Sequence, residues 1–206
     1  LQGDWSSDVC SSDLGGRARS APDQDLLLDN GQHILIGAYR DTLTLMRRVG
    51  VDPEQVLLRR PLALVDATGS GLRLPPGPAL PALLRGMLGW RDVPLTQRLR
   101  FLAMAWRWQR DGFSCPADWT VERLARDGPR DVYRALLEPL CVAALNTPAD
   151  RASAAVLLRV LHDALFSGPG ASDLLLPRRP LDELFPAPAV AWLQQRQVRW
   201  CPGRRV

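Results

Sequence analysis

Residues 15–39 read GGRARSAPDQDLLLDNGQHILIGAY, and this stretch decides how the rest of the chain is read. Gly15 and Gly16 let the backbone approach a ligand closely, because no Cβ stands in the way. Arg17 beside them offers a planar guanidinium fork that suits a phosphate or diphosphate. A polar turn follows, which Ser20 can close. The chain then enters an apolar segment, Leu26 to Ile36, that reads as extended structure broken at Asn30-Gly31, a turn dipeptide. By residue chemistry alone every piece has an ordinary reading: a surface turn with a solvated arginine, an Asp29 that caps a turn, and a His33 that is a satisfied structural histidine.

Outward from this stretch, the apolar spacing of Leu43, Met46 and Val49 predicts a helix from Ala38 to Val49, stopped by Gly50. Leu62–Val65 and Leu72–Leu74 flank Asp66-Ala67-Thr68-Gly69-Ser70-Gly71, a turn rich in residues that tolerate positive φ, so a hairpin is expected. After a proline-rich joint at 75–81 the chain turns helical: 80–90, then a helix opened by Pro94 and running to Arg110, a short one headed by Thr120, and one over 129–145 with Pro139 inside it as a kink or break. A helix over 152–166 and an extended segment over 173–177 follow. Residues 181–195 read as helical at both ends around Pro186 and Pro188, and 198–200 as a strand.

The order of a Gly-Gly-Arg turn, a strand and Asp29-Asn30-Gly31-Gln32-His33 resembles the second flavin-contacting segment of the amine oxidase and phytoene desaturase superfamily. Within it the chain is most similar to the squalene-associated FAD-dependent desaturases, also called hydroxysqualene dehydroxylases, where a segment like LDNGQHILIGAYRDTL (here Leu28 to Leu43) follows the turn. PLCVAALNTP at 139–148 and LLLPRRPL at 174–181 match the same pattern, so the resemblance covers nearly all of residues 14–196. It implies an α+β fragment of an FAD-dependent, amine oxidase-like α/β fold whose Rossmann nucleotide-binding core is missing. Residues 14–60 are then a remnant of the FAD-binding domain, 61–172 a mostly helical substrate domain with short strands and a hairpin, and 173–206 a truncated return toward the FAD-binding domain.

The resemblance also implies roles. FAD is the cofactor, contacted by Gly15, Gly16, Arg17, Gly31 and Gln32. His33 becomes a candidate general acid, since imidazole titrates near neutral pH. Cys141 and Asn146 fall where a substrate cavity wall is expected, although a cysteine on an apolar helix and an asparagine before Thr-Pro have simpler uses as core and helix end. Arg178 and Arg179 face either a ligand diphosphate or solvent. The implied reaction is reductive removal of the hydroxyl of hydroxysqualene to give squalene in hopanoid or related triterpene synthesis. A phytoene-type desaturase and a non-enzymatic, membrane-docking helical module are the alternatives.

Residues 1–13 stand outside this pattern. Asp4 to Leu14, DWSSDVCSSDL, looks like a reading frame of a common sequencing adapter, so 1–13 is expected to be a non-native tail and the fragment to be cut at both ends. The chain has 206 residues and a net charge of +4, and its 26 basic residues include no lysine. That arginine, alanine, leucine and proline usage points to GC-rich coding, which weakens the inference from basic charge to nucleic acid; no nucleic-acid signature is present. With Cys10 set aside, Cys115, Cys141 and Cys201 have no metal or disulfide spacing, which suits a reducing cytoplasm, and no metal is expected. No apolar run reaches the ~20 residues of a membrane span. Leu95, Leu99, Leu102 and Trp106 share a helical face, with Trp90, Trp108 and several arginines around it. Two uses suit that face: packing inside a helical subdomain, or a peripheral membrane surface through which a lipophilic isoprenoid enters.

Overall fold

The structure is a computed structural model, and it describes residues 20–23, 26–29, 31 and 33–198. In chain order the strands and helices begin with β1 (Ser20–Asp23), β2 (Leu26–Asp29), β3 (Leu35–Ile36), α1 (Arg40–Arg48), α2 (Pro53–Val56) and β4 (Leu57–Arg60). The hairpin strands β5 (Ala63–Val65) and β6 (Gly71–Arg73) follow, then α3 (Ala79–Gly89), α4 (Leu95–Arg110) and α5 (Val121–Ala125). Next come α6 (Arg130–Val132), a π-helical segment (Tyr133–Leu137) and α7 (Glu138–Leu145). The described chain closes with α8 (Ala154–Phe166), β7 (Leu174–Pro177), α9 (Leu181–Leu184) and α10 (Pro186–Gln195). The fold is mixed helix and sheet.

The chain divides into two compact units. The first comprises Leu1–Leu35, Tyr39–Arg60 and Leu174–Val206; the second comprises Ile36–Ala38 and Pro61–Asp173. In the first unit β1 pairs antiparallel with β2, Ser20 opposite Asp29. A three-stranded sheet has the order β3-β7-β4, and β4 pairs antiparallel with β7, from Leu57 opposite Pro177 to Arg60 opposite Leu174. The core here gathers Leu43 and Met46 of α1, Val51, Val56, Leu57, Leu175 and the α9 leucines. Gly50 ends α1 at φ +90: its N–H donates to Arg47 O and the Val51 N–H to Met46 O, which satisfies the last carbonyls of the helix while Val51 packs beside Met46. A glycine is needed there because a Cβ at that φ is strained.

The second unit is helical around the β5–β6 hairpin, whose register runs Ala63 opposite Arg73 to Val65 opposite Gly71. The Asp66 carboxylate organises the hairpin loop by accepting from Thr68 N–H at 2.8 Å, Thr68 Oγ1 at 2.6 Å and Ser70 N–H at 3.1 Å. The main core joins Leu72 and Leu74 to Met87, Trp90, Phe101, Met104, Trp108, Leu136 and Leu158. Thr120 and Ser153 cap α5 and α8, their hydroxyl oxygens accepting from Arg123 and Val156 N–H. Pro139 does not break the helical run from Arg130 to Leu145. It lacks the N–H that an α-turn would use, and the helix widens to π geometry over the five residues just before α7.

Several sequence expectations change. Ser20–Asp23 is a strand, not a polar turn, and Pro53–Arg60 forms α2 and β4, which no periodicity announced. Pro186 and Pro188 do not separate two helical ends: Phe185, with φ −153, breaks the chain, and Pro186 sits in the first turn of α10, where a missing N–H costs nothing. Val198 is not in a strand; residues 199 and 200 lie outside the described residues.

Candidate functional site

The described part of the expected cofactor segment is the β1–β2 pair and the turn after it. Asp29 ends β2, and its carboxylate is already engaged. Oδ1 accepts from Ser20 Oγ at 2.5 Å and from the backbone N–H of Leu181 at 3.0 Å. Asp29 therefore closes the β1–β2 pair on one side and holds the start of α9 on the other, a capping use with a 152-residue reach along the chain. Ser20 does close a contact, from within a strand.

Gly31 has φ +92, and its N–H donates to Asp29 O at 2.8 Å. A Cβ built there meets nothing within 4 Å. The glycine is thus required by backbone conformation, and the face it presents is open among the described residues. His33 is half-buried, with Nδ1 3.4 Å from Gly31 O. In the tautomer with Nδ1 protonated this contact is a weak donation to the carbonyl, and Nε2 is left without a partner among the described residues. Gly15, Gly16, Arg17 and Gln32 lie outside the described residues. An open glycine face next to an imidazole with a free nitrogen fits the approach of a flat aromatic group such as a flavin ring.

The other expected residues have local work. Cys141 is fully buried in α7, in a cluster with Val121, Ala149, Ala152 and Leu157; its Sγ–H donates to Thr147 O at 3.5 Å. Burial, aided by the Glu138 carboxylate, raises the thiol pKa above its ordinary value, so Cys141 is a protonated packing residue and no nucleophile. Asn146 is exposed and left-handed, φ 47 and ψ 35, and its N–H donates to Val142 O at 2.9 Å: it ends α7. Arg178 and Arg179 are exposed, and Arg179 pairs with Glu183 across one helical turn at 3.3 Å. His162 Nδ1–H donates to Asp163 Oδ1, 3.0 Å away, and its ring stacks on Phe166 with Phe113 edge-on at 5.5 Å, which is a packing arrangement. Among the described residues no group of His, Cys, Asp or Glu could hold a metal ion.

The face shared by Leu95, Leu99 and Trp106 is the correction of most functional interest. Their exposures are 50%, 49% and 60%, while Phe101, Met104 and Trp108 of α4 face the core. The packed-face reading of that stripe is therefore overturned for these three; Leu102 alone of the four packs partly against the core. Leu84 and Leu88 of α3 are exposed as well. One of the arginines there is not free: Arg98 Nη1 donates to Leu88 O at 2.5 Å and to Met87 O at 3.3 Å, closing the C-terminal end of α3. Among the described residues no helix is long and apolar enough to cross a membrane.

Residues 11–184 match the family model described as flavin containing amine oxidoreductase. Residues 11–13, which the sequence reading set apart as a tail, fall inside that matched span. The chain is also 28% identical over 195 residues to hydroxysqualene dehydroxylase of Zymomonas mobilis subsp. mobilis (strain ATCC 31821 / ZM4 / CP4). That similarity takes in 91% of this chain and 45% of the relative, so the chain spans a little under half of the relative's length.

Proposed function

This chain belongs to the flavin containing amine oxidoreductase family, and on that premise we propose that it is part of an FAD-dependent oxidoreductase that removes the hydroxyl of a squalene-type alcohol reductively. The single observation that carries the substrate class is the similarity to a hydroxysqualene dehydroxylase across 91% of the chain. The Gly15-Gly16-Arg17 turn, Gly31 and Gln32 are assigned to the cofactor: glycines for close backbone approach, the guanidinium for the diphosphate. When bound and reduced, the flavin supplies a hydride equivalent.

The chain's own contribution is proton delivery and positioning. His33, protonated on both ring nitrogens with Nδ1–H toward Gly31 O, gives its Nε2 proton to the allylic hydroxyl oxygen, so the C–O bond breaks with water as the leaving group and the carbon is left to take the hydride equivalent. Asp29, tied to Ser20 and to the Leu181 N–H, fixes the strand end from which Gly31 and His33 project. A rigid turn of this kind holds a proton donor at constant distance, which is where positioning contributes to rate. The apolar face of Leu84, Leu88, Leu95, Leu99 and Trp106 meets the bilayer in which such a substrate is dissolved. On this reading the protein works at the cytoplasmic face of the membrane. Cys141 and Asn146 support α7 from inside and at its end.

The test uses the full-length parent. It should purify with flavin absorbance and, with reductant, convert hydroxysqualene to squalene. Arg17→Ala should release the flavin, and His33→Ala should slow turnover of bound substrate with His33→Gln recovering little. Conversion of phytoene instead of hydroxysqualene would give the reading to a desaturase, and a colourless parent protein would remove the flavin assignment altogether.

A further inference from the structure

The second unit carries an arginine-lined hollow that the flavin reading does not use. A cavity of about 490 Å³ opens between α5 and the π-helical segment, with Arg123, Arg126, Arg130 and Arg134 in its wall. A second cavity of about 470 Å³ adjoins it and shares Arg126 and Arg130; Arg100 enters its wall from α4. Such volumes suit a small ligand. Two carboxylates also line the hollows, Glu122 in the first and Asp127 in the second, so arginine is in excess in both.

What distinguishes these arginines is how few are neutralised. Arg123 reaches Asp118 at 3.4 Å and lies over the Trp119 ring, 5.1 Å from its centre; Arg100 donates to Asp127 O at 3.2 Å. The side chains of Arg126, Arg130 and Arg134 make no hydrogen bond or ion pair with any described residue. Of the two carboxylates next to these arginines in sequence, Asp127 beside Arg126 lines the second hollow, and Asp131 beside Arg130 is turned to Gln97. It accepts from Gln97 Nε2, and the Asp131 N–H donates to Gln97 Oε1 at 2.9 Å. Arg130 and Arg134 are four apart on one helical stretch, a spacing at which like charges repel. Tyr133 stands in the same wall; burial first, and nearby carboxylates second, hold its phenol above the usual pKa, so it keeps its proton and can donate.

We propose that these adjoining cavities bind a phosphate- or diphosphate-bearing ligand, gripped by Arg126 and Arg130 where the two share a wall. Guanidinium forks donate in parallel to phosphate oxygens, and several facing one hollow match a polyanion better than a single charge. Bound anion relieves the repulsion that the empty cluster carries. Every residue lining it belongs to the second unit, whereas Gly31 and His33 belong to the first.

The chain is titrated calorimetrically with inorganic diphosphate at low salt. Three proteins are compared: the parent chain, Arg126→Gln/Arg130→Gln, and Arg85→Gln/Arg151→Gln, which loses the same charge elsewhere. We expect binding that weakens with salt, weakens by roughly tenfold or more in the cavity variant as charge-assisted bonds are lost, and is retained in the control. Cosedimentation with phosphatidylcholine vesicles, with and without phosphatidic acid, separates the sources. Capture that needs phosphatidic acid, fails in the cavity variant and is competed by diphosphate assigns a lipid headgroup; diphosphate binding without capture assigns a soluble ligand. If the double variant does not fold by circular dichroism, the exposed single change Arg134→Gln carries the same expectation. Absence of binding to both probes, or equal weakening in cavity and control variants, overturns the proposal.

Discussion

Gly86 and Gly89 lie in one helix, α3, and the same substitution should have opposite effects at the two. A Cβ on Gly86 would come within 2.8 Å of Leu74 Cδ2, 2.9 Å of Arg73 O and 3.2 Å of Leu72 Cδ1. The leucine ends can swing; the Arg73 carbonyl is backbone of β6 and cannot move without disturbing the hairpin. A Cβ on Gly89 meets nothing within 4 Å. Replacing a helical glycine by alanine gains about 1 kcal/mol in propensity, less at a helix end. Overpacking a filled core costs about 1–3 kcal/mol. Gly86→Ala is therefore expected to lose about 1 kcal/mol net, and Gly89→Ala to gain about 0.5 kcal/mol. The assay is urea unfolding followed by far-ultraviolet circular dichroism, with thermal melts beside it. For a chain of this size the two variants should separate by roughly 3–6 °C. If Gly86→Ala proves as stable as Gly89→Ala, the hairpin does not rest on α3 as described.

Three further outcomes are expected. Arg98→Met removes the guanidinium from the Met87 and Leu88 carbonyls and should cost about 1 kcal/mol in urea unfolding; an unchanged midpoint would mean that water replaces it at no cost. Asn146→Ala should cost about 1 kcal/mol because the position is left-handed, while Asn146→Gly should be close to neutral, and equal stabilities would refute the conformational role. The Asp163 carboxyl is held below its ordinary 3.8 by the hydrogen bond from His162 first and Arg159 second. Being depressed in the fold, it contributes stability that is fully present above pH 3.8 and is lost as pH falls below that through the folded value. Asp163→Asn should therefore be less stable at neutral pH and flatter on the acid side, and a parallel acid limb would contradict this.

What was legible in the sequence was local. Gly50 after a three-spaced apolar row, Thr120 before a short helix, and the Asp66-to-Gly71 turn each hold their own answer within a few residues, and the structure keeps all three. The α4 face was not legible, because Leu95, Leu99 and Trp106 form an apolar stripe as regular as Phe101, Met104 and Trp108. Periodicity gives a helix its stripes but not the neighbour that decides which stripe is covered. The strand β4 was missed for a related reason: LLRR does not alternate, and its partner β7 comes more than a hundred residues later in the chain, after the whole of the second unit's long segment. The arginine hollow needed Arg100 of α4 beside arginines from 123 to 134, a proximity that only packing creates. Of the cofactor segment, Gly31 and His33 could be followed into the structure as an open turn with a histidine beside it.

The pairing of β4 with β7 has a temporal meaning. A ribosome finishes Leu57 and Leu58 long before Leu175 and Leu176 exist, so one half of the first unit waits, unpaired, while the second is made. Closing so long an excursion costs less once the excursion has condensed. Early folding of the second unit therefore favours completion of the first. Changes that slow it, such as alanine at Gly86, should surface as aggregation of newly made chain through the waiting strand edge.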